Sequence, residues 1–179
     1  MKRLVALIAL ALPLVACAFG FTPPTPGTNY TEQPPGSNVN PGVQGEQGIV
    51  TNVIDGDTID VNIDGVGYPV RYVGVNTPER DETCYSEARD FNAAFVEGRT
   101  VTLVRDTSNT DRFGRLLRYV YVGDVFVNEQ LVLQGYAEVV QYDPDLRFAD
   151  YFVTLEQEAA RFQRGCHPTG IFNDGSFAR

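Results

Sequence analysis

The chain has 179 residues, with 23 acidic against 14 basic side chains and a formal charge of −9. An acidic surface does not favour indiscriminate binding to nucleic acid, so any phosphate chemistry must rest on a local basic site. A single histidine, His167, excludes a zinc centre built on several imidazoles, and no catalytic Ser-His arrangement is present.

The chain opens "MKRLVALIALALPLVACAFG". Lys2 and Arg3 precede an apolar run from Leu4 to Leu12 that is too short to span a bilayer. Residues 1–16 therefore read as a secretory signal, outside the fold. Leu14-Val15-Ala16-Cys17 resembles the lipobox of bacterial lipoproteins. That resemblance implies cleavage before Cys17, lipidation of its thiol, and an exported domain anchored to a membrane of the cell envelope. An ordinary signal peptide cut after a small residue is the other reading. Either cut removes Lys2 and Arg3, leaving 12 Arg, no Lys and a formal charge of −11. Residues 17–47 are rich in Pro, Gly, Ser, Thr and Asn and cannot bury enough surface to offset chain entropy. They read as a disordered tether with a mean reach of roughly 30 Å.

Residues 48–168 form one domain, followed by a tail over 169–179. Apolar and polar residues alternate through "GIVTNVIDGDTIDVNIDGVGYPVRYVGV", and Asp64-Gly65 is a hairpin signal. Three antiparallel strands are predicted over 48–55, 58–64 and 67–75. In "CYSEARDFNAAFVEG", Ala88, Phe91 and Phe95 recur at helical spacing before Gly98. "RTVTLVR" is a fourth strand, "DTSNTDRFG" a polar loop, and "RLLRYVYVGDVFV" a fifth strand ending at Gly123-Asp124. "NEQLVLQG" is a short helix stopped by Gly135. A final amphipathic helix places Phe148, Tyr151, Phe152, Leu155, Ala159 and Phe162 on one face. Five strands with three helices predict a β-rich α+β fold, best fitted by a five-stranded OB-type barrel. Cys84 and Cys166 are an even pair in an exported domain, which suggests a disulfide; two unrelated buried thiols are the alternative. Such a bond would contribute about 4 kcal/mol in the chain-entropy picture.

Several residues carry chemistry. Asp57 shares the register of Ile59, Val61 and Ile63, where a carboxylate is costly unless paired or bound to a cation. Arg71 falls in the register of Val73 and Val75, so a salt bridge between Asp57 and Arg71 is one reading. Glu79 follows Pro78 on a constrained turn; a surface pair with Arg80 is its plainer reading. "DRFGRLLRY" gathers Arg112, Arg115 and Arg118 around Phe113: guanidinium forks suit phosphate, and the ring could stack a base. Taken alone, such a cluster is usually a solvated face. Two arginines, a carboxylate for a metal and a carboxylate for a water are what phosphodiester hydrolysis requires. His167, between Cys166 and Pro168, reads as structural.

The motifs "VIDGDTIDV", "VRYVGVNTPE", "TDRFGRLLRYVYV" and "VNEQLVLQGYAEV", in this order, resemble the thermonuclease, or staphylococcal-nuclease-like, family from about Gly48 to Cys166. The resemblance implies a five-stranded OB-type barrel with three helices. It also implies calcium-dependent cleavage of single-stranded or locally melted DNA and RNA, leaving 3′-phosphates, by a monomer. By position, Asp57 corresponds to a calcium ligand and Thr77 to a ligand through its backbone carbonyl. Glu79 corresponds to the general base or water-orienting group, and Arg71 and Arg115 to the arginines that bind the reacting phosphate. Arg112 and Phe113 fall near the nucleotide, and Tyr142 stands near the family's base-pocket tyrosines. Asn76 stands where a second aspartate ligand is usual; its amide oxygen can bind calcium but brings no charge, so weaker affinity is expected. The competing reading is a non-catalytic OB-type lipoprotein module that binds nucleic acid or a protein.

Overall fold

A computed structural model describes residues 43–173. The signal over 1–16, Cys17, most of the tether and the end of the tail lie outside the described residues. Strand β1 (Glu46–Val53) pairs with β2 (Thr58–Ile63), and β2 with β3 (Val66–Tyr72), as an antiparallel meander. β1 begins two residues ahead of the predicted position, because Glu46 and Gln47 already pair with Leu103 and Thr102. The hairpin between β2 and β3 turns at Asp64 and Gly65, both at positive φ as its tight geometry requires.

The third strand departs from the expected 67–75. It ends at Tyr72, and Val75–Asn76 forms a separate strand, β4, in a second sheet. Gly74 makes the break: its φ is +78°, and an added Cβ would lie 3.0 Å from the Phe152 ring. The break changes the reading of Arg71. Val70 and Tyr72 form the inward row of β3, and Arg71 lies between them on the other face. Val73 and Val75 are buried because the chain has turned, not because they continue Arg71's row.

Helix α1 (Tyr85–Val96) follows, then β5 (Thr100–Val104), β6 (Leu116–Val122) and a two-residue β7 (Val125–Phe126) that folds back on β6. β1 pairs with β5 and β5 with β6, and a parallel pairing of β3 with β6 closes the five strands into a barrel. The architecture is thus the expected OB-type barrel with three helices.

Helix α2 (Val127–Leu133) buries Val127, Leu131 and Val132. Its Asn128 is fully buried, accepting the Val120 N–H at 2.9 Å and donating to the Val73 carbonyl at 2.9 Å. One side chain thereby ties the helix to β6 and to the turn after β3. After β8 (Glu138–Val139), helix α3 (Ala149–Arg161) turns Phe152, Leu155 and Ala159 inward. Phe148, at its N-cap, joins Phe152, Phe126 and Tyr119 in an aromatic cluster. Phe162 does not share that face. It caps the helix, is 58% exposed, and lies beneath the guanidinium groups of Arg161 and Arg164.

The inward row of α1 is also displaced by one residue. Ala88, Asn92 and Val96 are buried, while Phe91 and Phe95 flank them and Phe91 stacks on Tyr136. Asn92 is tolerated inside because it accepts the Tyr72 hydroxyl at 3.0 Å and donates to the Asp55 carbonyl at 3.1 Å. Cys84, just before α1, is disulfide-bonded to Cys166 across 82 residues, joining the helix to the C-terminal segment.

Candidate functional site

The loop from Ile54 to Asp57 leaves β1 and returns into β2. Gly56 lets it lie against Thr77, since a Cβ there would sit 2.7 Å from the threonine side chain. Asp57 is consequently 4% exposed. Its Oδ2 accepts the Thr77 N–H at 2.8 Å and the Thr77 hydroxyl at 3.0 Å. Its Oδ1 accepts the Thr58 hydroxyl at 3.1 Å and lies 3.1 Å from Arg71 Nε. The salt bridge foreseen as one reading of these two residues is present.

Arg71 is held further. Nη1 donates to the carbonyls of Tyr72 at 2.8 Å and Val75 at 2.7 Å, and Nη2 donates to Asn76 Oδ1 at 3.1 Å. The guanidinium thus clasps both sides of the Gly74 turn and makes the β3–β4 junction a fixed positive corner. Asn76 in turn donates from Nδ2 to Glu138 Oε1 at 3.0 Å. Asp57, Arg71, Asn76 and Thr77 therefore meet in one hydrogen-bonded cluster.

Two carboxylates in this cluster escaped sequence reasoning. Asp55 accepts the Asp57 N–H at 3.0 Å. Burial, and then the neighbouring Asp57 charge, push its carboxyl well above the usual range. The doubled Asp in "DGD" was a visible signal for it. Glu138 is 3% exposed, and only the pairing of β4 with β8 brings it to Asn76.

Among the described residues, no three His, Cys, Asp or Glu side chains cluster so as to hold a metal by themselves. The donors at hand are mixed oxygens: the Asp57 carboxylate, the Asn76 amide and the Thr77 backbone carbonyl. Such a set suits a hard cation such as calcium.

A second group forms on the loop before β6. Asp111 Oδ1 accepts the N–H groups of Phe113 at 2.8 Å and Arg115 at 3.0 Å, and Oδ2 lies 2.6 Å from Arg115 Nε. One carboxylate thereby shapes the five-residue loop. Phe113 is 69% exposed, with Arg112 4.6 Å and Arg115 5.6 Å from its ring centroid. The barrel closure sets the strand that follows this loop beside β3, with Leu116 paired to Val70 and Leu117 to Arg71. Arg118 does not belong to this group. It is 2% exposed and spends its guanidinium on Glu46, Asn109 and the Leu117 carbonyl. An Arg on the inward row of β6 becomes a buried clasp rather than a phosphate ligand.

Glu79 is exposed on the turn after Pro78, and its N–H donates to Glu82 Oε2 at 2.8 Å. Tyr142, 60% exposed, lines a cavity of about 370 Å³ with Val139, Val140, Gln141, Val153 and Glu156. His167 is buried with Nε2 unpartnered, and burial lowers its pKa, consistent with a neutral packing role.

Comparison with known proteins adds a separate line. Residues 69–166 match the family described as "Staphylococcal nuclease homologue". The chain is 33% identical over 121 residues to a thermonuclease of Staphylococcus hyicus, covering 64% of this chain and 72% of that protein. It is 33% identical over 127 residues to a thermonuclease of Staphylococcus intermedius, covering 68% and 76% respectively. It is 37% identical over 143 residues to an endonuclease of Bacillus subtilis, covering 73% and 66%.

Proposed function

The chain belongs to the staphylococcal nuclease family, and from that premise we propose that it is a calcium-dependent nuclease that hydrolyses DNA and RNA phosphodiesters and leaves 3′-phosphates. The observation that carries this reading is the cluster of Asp57, Arg71, Asn76 and Thr77, with Arg115 two residues before the Leu117 that pairs with Arg71.

In this reading Asp57, Asn76 and the Thr77 carbonyl would hold the cation, whose charge would stabilise the phosphoryl oxygens. Glu79, exposed on its turn, accepts a proton from the attacking water. The new P–O bond forms as the bond to the 5′-oxygen breaks, so phosphate stays on the 3′ side. Arg71 and Arg115 face the charge that develops on the phosphoryl group. Four of the five Arg71 N–H groups have partners, which holds its charge in place before substrate arrives; the fifth, on Nη2, is the one this role uses. Arg112 and Phe113 receive the neighbouring nucleotide, the ring by stacking. Tyr142 would line the base pocket. An exported, Cys17-lipidated monomer is part of the same proposal, checked by labelling cells with a fatty acid and comparing Cys17→Ser.

The test is incubation of the purified chain with single-stranded DNA and RNA, with calcium and with chelator. Calcium-dependent degradation is expected. Its absence at every ionic strength would refute the enzyme reading and leave a binding module.

A further inference from the structure

β4 and β8 form a sheet of their own, in which Asn76 and Glu138 are direct cross-strand partners. Both are 3% exposed. Asn76 stands between two groups of fixed character. Arg71 Nη2, 3.1 Å from its Oδ1, can only donate. Glu138 Oε1, 3.0 Å from its Nδ2, accepts. Turning the amide over would set its NH₂ against a guanidinium and its oxygen against a carboxylate. Only one orientation satisfies both neighbours, and it turns Oδ1 to Arg71.

The same geometry restricts what residue 76 can be. An aspartate there would place its second oxygen against Glu138 at about the present hydrogen-bond distance, in a site closed to water. An aspartate has no N–H to give Glu138, so two acceptor oxygens would face each other across that gap.

We propose that Glu138 is a positioning residue of the candidate cation site: its carboxylate orients the Asn76 amide with Oδ1 toward Arg71, the partner of Asp57, and it is the reason residue 76 is an amide rather than an acid. The pairing itself stands on the geometry; its effect on a cation rests on the calcium reading above. Asn76→Asp alone then does not simply restore a missing ligand, because the new carboxylate meets Glu138.

Four proteins test this: wild type, Asn76→Asp, Glu138→Gln and the double variant. Glutamine keeps the shape of Glu138 and an acceptor oxygen, so the fold is retained. In thermal melts run in chelator, Asn76→Asp is expected to lower Tm by about 10 °C with Glu138 present. In the Glu138→Gln background the same change should cost little or raise Tm, because the introduced amide can donate to the introduced carboxylate. In calcium calorimetry, Glu138→Gln is expected to weaken binding about three- to tenfold, and the double variant to recover it. Equal Tm effects of Asn76→Asp in both backgrounds would overturn the proposal, as would identical calcium affinity of wild type and Glu138→Gln. If wild type binds no calcium, the calcium reading fails, and the melts in chelator still decide whether Glu138 governs residue 76.

Discussion

Arg71 with Asp57 and Arg115 with Asp111 are the same chemical pair in two settings. The first lies at 3.1 Å with side chains 14% and 6% exposed; the second lies at 2.6 Å with side chains 32% and 15% exposed. Arg71 and Asp57 are joined by the pairing of β2 with β3 and gather Thr77, Asn76 and two backbone carbonyls around them. Arg115 and Asp111 are four residues apart and shape only their own loop. A buried pair holds distant segments in one geometry, and losing one member strands a charge. A half-buried pair within one loop contributes less stability, and its more exposed arginine remains able to meet a ligand.

The largest effect that could break this contrast concerns stability. Arg71→Ala leaves Asp57 buried without its counter-ion and is expected to cost about 3–5 kcal/mol in urea unfolding. Arg115→Ala should cost less than about 1 kcal/mol. Equal costs would mean that Arg71 is not a structural corner.

Turnover should separate the same residues differently. Arg115→Ala and Glu79→Ala are expected to lower kcat by about 10²- to 10³-fold, with circular dichroism and Tm close to wild type. Wild-type turnover in either variant would remove that residue from the proposed chemistry.

A smaller effect belongs to the ring. Phe113→Ala should raise KM about tenfold, the lower part of the range for one stacked base, with kcat retained. An unchanged KM on single-stranded DNA would show that the exposed ring does not meet substrate.

The smallest effect is a pH dependence. Partial burial raises the Asp111 carboxyl, but hydrogen bonds from the Arg115 side chain and from the backbones of Arg115 and Phe113 bring it below its ordinary 3.8. A carboxyl depressed in the folded state adds stability above its unfolded pKa and loses it as pH falls through the lower folded value. Wild type and Asp111→Asn should therefore differ near neutral pH and converge below about pH 4, read as Tm against pH. Parallel curves down to acid would mean that the loop bonds do not favour the charged form.

How much was legible varies residue by residue. Asp57 and Arg71 could be singled out because a charged group in the register of an apolar row is visible in the chain itself, although for Arg71 that register breaks at Gly74; Thr77 came only from the family resemblance. Asp111 and Arg115 lie within five residues of each other, and the turn residues between them announce the loop. Arg118 carries the same side chain three residues on, yet its guanidinium is buried against Glu46. Nothing local distinguishes it from Arg115, because its fate depends on where β1 begins. The one-residue shift of α1's inward row has a similar origin: Asn92 is welcome inside only because Asp55 and Tyr72 supply its partners.

By itself the sequence determined the barrel class, the order of its elements, the β2–β3 hairpin and the residue types a phosphate site would use. Each of these rests on periodicity or turn chemistry within a few residues. The tertiary structure alone decided that β3 closes on β6, that the chain turns at Gly74 and takes Val73 and Val75 out of Arg71's row, and that Glu138 comes to lie 3.0 Å from Asn76, 62 residues earlier. Pairing between segments so far apart leaves no local signature, because its free energy comes from burying both partners at once rather than from either alone.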